Sequence, residues 1–284
     1  ATDEAQAGTP ELKIVLSDIT ERKRMEEVQA FLAQTCRGTL DEPFFEALAR
    51  NLARNLDMDY VCIDRLLGDE LTARTVAVWC DGHFEDNVTY ALKDTPCGDV
   101  VGRTVCCFPA SVCQFFPRDQ VLQDLRAESY VGVTLWSHAG QPIGLIAVIG
   151  RNPLTNSPLA EATLKMVAMR AAGELERLNA EEALREKTAI AQKFMDALPC
   201  VALLLKPRTR EIVALNNAAS DAGARLGATC FGSWPKFDKA CPFCLAPEVW
   251  KTGIPQTLEI DAIGTFWEAH WVPVSEDLYL HYAF

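Results

Sequence analysis

PLAEATLKMVAMRAAGELERLNAEEALREKTAIAQKFMDAL, residues 158–198, carries one glycine and no proline between Pro158 and Pro199. Pro158 suits a first helical turn, where its missing N–H costs nothing. Leu164, Ala168, Ala171, Leu175 and Leu178 recur at steps of 4, 3, 4 and 3, the a/d spacing of a coiled-coil seam rather than a wider globular stripe. The seam weakens at Glu182 among charges and returns at Ile190, Phe194 and Ala197 before Pro199 ends the element. Gly173 costs about 1 kcal/mol relative to alanine in a helix, which allows a bend there. About 40 residues at 1.5 Å each span about 60 Å, too long for one small domain to cover. The stretch therefore reads as a helix joining two compact units; a surface helix packed on its own domain is the competing reading.

The chain has 284 residues, enough for two domains with their own cores. Apolar residues make up 49% and charged residues 23%, ordinary for a soluble globular protein. A net charge of −12 argues against nucleic-acid or direct anionic-membrane partners, which need a basic footprint. No run approaches the ~18–20 apolar residues of a membrane span, and residues 1–20 lack a signal-peptide pattern, so a cytoplasmic location is expected. Eleven cysteines are many for such a chain, but an odd number cannot pair completely, which argues against a secreted disulfide scaffold.

Leu12 to Leu16 form a short apolar strand, followed by Asp18-Ile19-Thr20-Glu21-Arg22-Lys23. This segment resembles the motif that closes PAS domains and starts their signalling helices, which assigns 1–19 to the tail of a preceding PAS domain and 20–38 to a signalling helix. Asp18 or Thr20 can cap that helix, Met25, Val28, Leu32 and Thr35 share one face, and Gly38 is its stop. Asp41 caps a second helix with Pro43 in its first turn and Phe45, Leu48, Leu52 and Leu56 at helical spacing. Tyr60 to Leu66 and Leu71 to Cys80 read as a hairpin across Gly68-Asp69, and Tyr130 to Trp136 with Pro142 to Ile149 as another across Ala139-Gly140-Gln141.

A helix, strands, a variable middle, then Tyr130-Val131-Gly132-Val133-Thr134-Leu135 and Ile143-Gly144-Leu145-Ile146-Ala147-Val148 resemble a GAF domain over 39–157. The resemblance implies an antiparallel sheet of about five or six strands and a ligand cavity between sheet and middle segment. Cys97, Trp79, Cys113 and Tyr130 are its candidate lining. Cys97 follows Pro96 near a short-helix N-terminus, where a thiolate is favoured; a thiol that ligates haem iron or senses oxidation competes with one merely packed under a loop. His138 falls on a hairpin turn, and His83 follows Asp81-Gly82 in a loop.

After the long helix, Val201 to Leu205 and Glu211 to Leu215 read as strands, Asn216 as a helix cap, and three strands start near Gln256, Phe266 and Leu278. With Asp196-Ala197-Leu198-Pro199 before them, residues 199–284 resemble a PAS domain. The fold class is therefore α+β, with two antiparallel-sheet sensory domains joined by the 158–198 helix. Phe231, Trp234, Trp250 and Trp267, with Trp271, are dense enough to line a pocket for a flat ligand or simply to fill a core.

Cys230 and Cys241-Pro242-Phe243-Cys244 give a C-x10-C-x2-C pattern. A C-x2-C pair puts two sulfurs within reach of one metal ion, and zinc wants four ligands; Cys200, His270 or His281 could supply the fourth. A disulfide, a metal or iron–sulfur site and reduced packing thiols all fit this spacing. C-type haem attachment is disfavoured, because Leu245 stands where its histidine belongs. Similar patterns occur in a subset of PAS domains of sensor kinases. The two resemblances imply the input region of a signalling protein, a histidine kinase first and a diguanylate cyclase second, dimeric through its helices and responsive to a small molecule or redox state. A redox module built on a Cys-ligated haem, iron–sulfur or zinc cofactor is the rival. No phosphoacceptor, ATP-binding or cyclase motif is present, so this stretch is not expected to be an enzyme.

Overall fold

The structure is a computed structural model describing residues 19–36, 42–68, 71–262 and 264–284. The expected Leu12–Leu16 strand, the caps Asp18 and Asp41 and the Gly38 stop lie outside the described residues. The chain divides into two compact units, Ala1–Ala180 and Glu181–Phe284.

In the first unit, α1 (Thr20–Cys36) and α2 (Phe44–Leu56) precede β1 (Tyr60–Leu66), β2 (Thr72–Cys80), β3 (His83–Glu85) and β4 (Thr89–Ala91). Then come α3 (Pro96–Val100), β5 (Val105–Phe108), α4 (Val112–Phe115), α5 (Gln120–Leu125), β6 (Ser129–Trp136) and β7 (Pro142–Gly150). The seven strands form one sheet in the order β3-β2-β1-β7-β6-β5, with β4 also on β2. All pairings are antiparallel. Phe45, Leu48, Leu52 and Leu56 fall on one face of α2 and are buried. Pro43 stands at the N-cap, one position before the first turn expected for it, and Asp57 closes the helix in the left-handed region.

Strand alternation sorts the sheet into two faces. Val61, Ile63, Val131, Val133, Ile146 and Val148 face the helices, in one core with Leu48, Leu52, Leu164, Val167 and Leu175. Cys62, Tyr130, Leu145, Ala147 and Ile149 face the other way, against Leu92, Cys97, Val100 and Leu122 of the middle segment. Each fully buried Leu, Ile or Val contributes roughly 1.5–3 kcal/mol, so both layers hold the sheet.

The long helix α6 runs Ser157–Asp196 without a break at Gly173. Asn156 Oδ1 accepts the Leu159 N–H at 3.0 Å at its start. Leu164, Ala171 and Leu175 are fully buried in the first unit's core, with Ala168 packed against it. The 4-3-4 spacing over 164–175 thus serves packing within one unit rather than an intermolecular seam, because a helix lying on a sheet needs the same one-sided stripe. Residues 181–194 are exposed around the whole circumference, including Leu184, Ile190 and Phe194.

The second unit holds β8 (Val201–Leu205), β9 (Ile212–Leu215), α7 (Asn217–Asp221), α8 (Cys230–Ser233), α9 (Ala246–Thr252), β10 (Gln256–Ala262), β11 (Thr265–Ser275) and β12 (Leu278–Ala283). Its five strands form an antiparallel sheet in the order β10-β11-β12-β8-β9. Asn216 is its buried clasp. Its Oδ1 accepts the Ala202 and Ala219 N–H groups at 3.0 and 2.9 Å, while Nδ2 donates to Cys200 O at 2.7 Å. One side chain thereby ties β8 to the start of α7, meeting backbone groups that would otherwise be buried unpaired.

Candidate functional site

A cavity of about 270 Å³ opens between the sheet and the middle segment of the first unit. Its wall includes Tyr60 and Cys62 of β1, Tyr90 of β4, Cys97 of α3, Tyr130 of β6 and Ile149 of β7. Thr95 caps α3 by accepting the Gly98 N–H, with Pro96 in the first turn, so the local sequence fixes where Cys97 points. Gly98 permits that turn to pack, since a Cβ there would lie 2.4 Å from Leu92 O. The Tyr130 hydroxyl donates to the Cys97 sulfur at 3.3 Å in a buried contact.

Beneath Cys62 on the same face of β1 lies Asp64, fully buried. Its Oδ2 accepts the Tyr90 hydroxyl at 3.0 Å, while Oδ1 has no hydrogen-bond partner in the structure. Burial raises its carboxyl from 3.8 to about 7, against the lowering effect of hydrogen bonds from Cys62 and Tyr90. The Cys62 thiol is pushed well up, first by its hydrogen bond with Cys97 and then by burial. Desolvation, reinforced by neighbouring thiols and Asp64, likewise raises Tyr60, Tyr90 and Tyr130. The site is therefore a set of neutral, protonated donors around one sulfur and one acid.

Of the four residues expected to line this cavity, Cys97 and Tyr130 do so. Trp79 does not: it pairs with Val61 on the helix-facing side and packs edge-on against Phe84 at 4.8 Å. Cys113 does not either; its thiol donates to the carbonyls of Leu122 and Ala127 at 3.2 and 3.0 Å. Tyr60, Cys62, Asp64 and Tyr90 were not anticipated, although the i, i+2, i+4 spacing of the first three marks one strand face. His83 and His138 are exposed and pair with Glu85 and Glu176, each at 2.7 Å.

The second unit has a narrower cavity of about 40 Å³, walled by Cys230, Cys241, Cys244, Trp234, Trp267 and His281 among others. The fold thus brings the cysteine trio and His281 to one wall. Phe231 and Trp250 are absent from it; Trp250 packs on Tyr279 with the Arg210 guanidinium over its ring at 5.0 Å. His281 Nδ1 donates to His270 O at 2.9 Å and its ring stacks on Trp271. Burial holds this imidazole neutral, lowering it from 6.5 to about 4, and pushes the Cys230 thiol up to about 12. Among the described residues, no three His, Cys, Asp or Glu side chains stand where they could hold a metal ion. The described cysteines are free thiols.

The GAF domain family model matches residues 42–175. That part of the chain is a GAF domain. Its match ends at Leu175, the last residue of α6 buried in the first core. Among solved structures, the chain is similar to the GAF domain of an Acinetobacter phosphoenolpyruvate-protein phosphotransferase, at 15% identity over 59% of this chain and 99% of that one, TM-score 0.46. It is also similar to the chromophore-binding domain of Stigmatella aurantiaca phytochrome P1, at 11% identity over 53% of this chain and 59% of that one, TM-score 0.41. The A. aeolicus nlh2 GAF domain, in an inactive state, gives 16% identity over 57% of this chain and 98% of that one, TM-score 0.41. No curated protein matches the chain. No helix among the described residues is long and apolar enough to cross a membrane.

Proposed function

We propose that the chain is the sensory input region of a cytoplasmic signal-transduction protein, whose parent is a histidine kinase. In this reading the GAF domain receives a small-molecule or redox signal, and residues 199–284 form a PAS domain. The β9-β8-β12-β11-β10 order, with α7, α8 and α9 between its second and third strands, supports the second assignment. Two copies pair through their helices, and the bare 181–194 segment of α6 is where such pairing has surface to use. To move an output from 1:99 to 99:1, the signal must favour one state by about 5.5 kcal/mol. The output domain lies outside this sequence, and the region itself catalyses nothing.

One observation carries the sensory reading: a cavity of about 270 Å³ whose wall mixes apolar groups with converging buried hydroxyls and thiols. Such a wall suits recognition of one small molecule. The test is a thermal-shift screen of small metabolites on the purified chain, repeated with Ile149→Trp to fill the cavity. A true ligand at a hundred times its Kd adds about 2.7 kcal/mol of stability, an upshift that the filled variant loses. Ligands that shift both proteins equally, or no saturable ligand at all, would refute the reading.

A further inference from the structure

We infer that the GAF cavity takes a small monocarboxylate with an apolar body, whose oxygens accept from the Tyr60 hydroxyl and the Lys93 ammonium. The inference deepens the sensory reading of this cavity and rests on it. Five hydroxyls line the cavity, those of Tyr60, Thr75, Tyr90, Thr95 and Tyr130. Four of them spend their proton within the fold. Thr75 donates to Asn87 Oδ1 at 3.0 Å, Tyr90 to Asp64 Oδ2 at 3.0 Å, Thr95 to Leu92 O at 2.7 Å and Tyr130 to the Cys97 sulfur at 3.3 Å. Among the described residues, the Tyr60 hydroxyl alone of the five gives its proton to no protein group. Burial raises Tyr60 above the ordinary tyrosine range, so this hydroxyl stays a donor. A donor left unmet on a cavity wall costs free energy until what fills the cavity accepts from it.

The other polar groups of the wall divide in the same way. Arg118 pairs with Asp94 at 3.3 Å, and the Gln120 amide donates to Asp124 Oδ1 at 2.7 Å. Asp119, the one acid of the described wall, accepts the Leu122 N–H at 3.2 Å as the cap of α5. Lys93 has no ion pair among the described residues, an uncompensated cation in a chain of net charge −12. Two unmet donors, one of them charged, call for anionic oxygen in the ligand. One uncompensated cation balances one negative charge, which selects a monocarboxylate over a phosphate or a dicarboxylate. Val88, Leu122 and Ile149 of the same wall suit a hydrocarbon body. At about 270 Å³ the cavity lies just below the ~300 Å³ at which ligand pockets usually begin, room for one ring or one branched chain.

The test is isothermal titration calorimetry of the full chain with phenylacetate, phenylacetamide and phenethylamine, an anion, a neutral amide and a cation on nearly one skeleton, and with 4-methylpentanoate as the branched-chain acid. At least one of the two acids should bind saturably, and phenylacetate more tightly than the amide or the amine. Silence of both acids, or equal or tighter binding of the amide or the amine, overturns the proposal. Tyr60→Phe removes a hydroxyl that has no partner in the fold, so the empty protein should keep its stability. The acid should then bind about tenfold more weakly, the factor one hydrogen bond to a charged group carries. Tyr130→Phe, whose lost proton was committed to Cys97, should weaken binding less; the reverse order overturns the assignment of Tyr60. Lys93→Met should weaken binding about threefold at low salt, a gap that closes near about 1 M salt; an unchanged affinity at low salt overturns its role. An uncharged or cationic metabolite that Ile149→Trp excludes ends the acid class and leaves the sensory reading intact. A carboxylate that binds through Tyr60 yet never alters the parent's output does the reverse.

Discussion

Asp64→Asn should stabilise the GAF unit, and increasingly so as pH rises. The carboxyl ionises at 3.8 when unfolded and at about 7 in the fold, so the native state holds its proton more tightly. Below pH 3.8 both states are protonated and the group costs nothing. As pH climbs toward 7 the unfolded chain gains a solvated carboxylate that the fold cannot match. Above pH 7 the full cost applies, about 4 kcal/mol from three pKa units at 1.36 kcal/mol each. The same linkage gives about 1.7 kcal/mol at pH 5. Asparagine keeps an oxygen to accept the Tyr90 hydroxyl and never ionises. The advantage of the variant over wild type should therefore grow by about 2.5 kcal/mol between pH 5 and pH 8. Hydrogen exchange in β1 and β7 peptides, corrected for intrinsic rates, reads this unit apart from the other. A difference between the two proteins that stays constant across that range refutes the buried-acid argument.

The second unit should respond to acid in the opposite sense. His281 is neutral in the fold and protonates at 6.5 when unfolded but at about 4 when native, so stability present above pH 6.5 is lost as pH falls toward 4, by about 3 kcal/mol; exchange in β11 and β12 peptides should show it, and His281→Asn should flatten the profile. Leu164→Ala should cost the GAF unit about 2–5 kcal/mol in urea unfolding, whereas Leu184→Ser, on the exposed half of the same helix, should change it by under about 0.5 kcal/mol; equal effects would contradict the division of α6 into a packed and a bare half.

Much of the fold is legible in the sequence because alternation and turn chemistry are local. The two hairpins, the α2 face and the Asn216 cap all follow from residues within one element. The 4-3-4 spacing of α6 is different: a seam between molecules and a stripe lying on a sheet demand the same residues, and only the burial of Leu164, Ala171 and Leu175 distinguishes them. The GAF cavity is half legible. Cys97 announces itself through Thr95-Pro96, but Cys62 and Tyr90, which share the cavity wall with it, arrive by sheet pairing at long range. Trp79 misleads because its character suits a pocket while its register, opposite Val61, puts it on the other face. The C-x10-C-x2-C spacing brings its sulfurs to one wall, yet Phe231 and Trp250 could not be told from Trp234 and Trp267 by composition alone.

The division of α6 bears on how order spreads along it. Starting a helix is the unfavourable step, and each later residue adds a hydrogen bond at little further cost. The turns clamped by Leu164 and Leu175 supply that start, so residues 181–194, which gain nothing from burial, wind by extension from an anchored end. If the GAF core loosened its grip on those turns, the exposed stretch would lose its template and begin to unravel. Its helicity is thus an internal gauge of how tightly the domain beside it is closed.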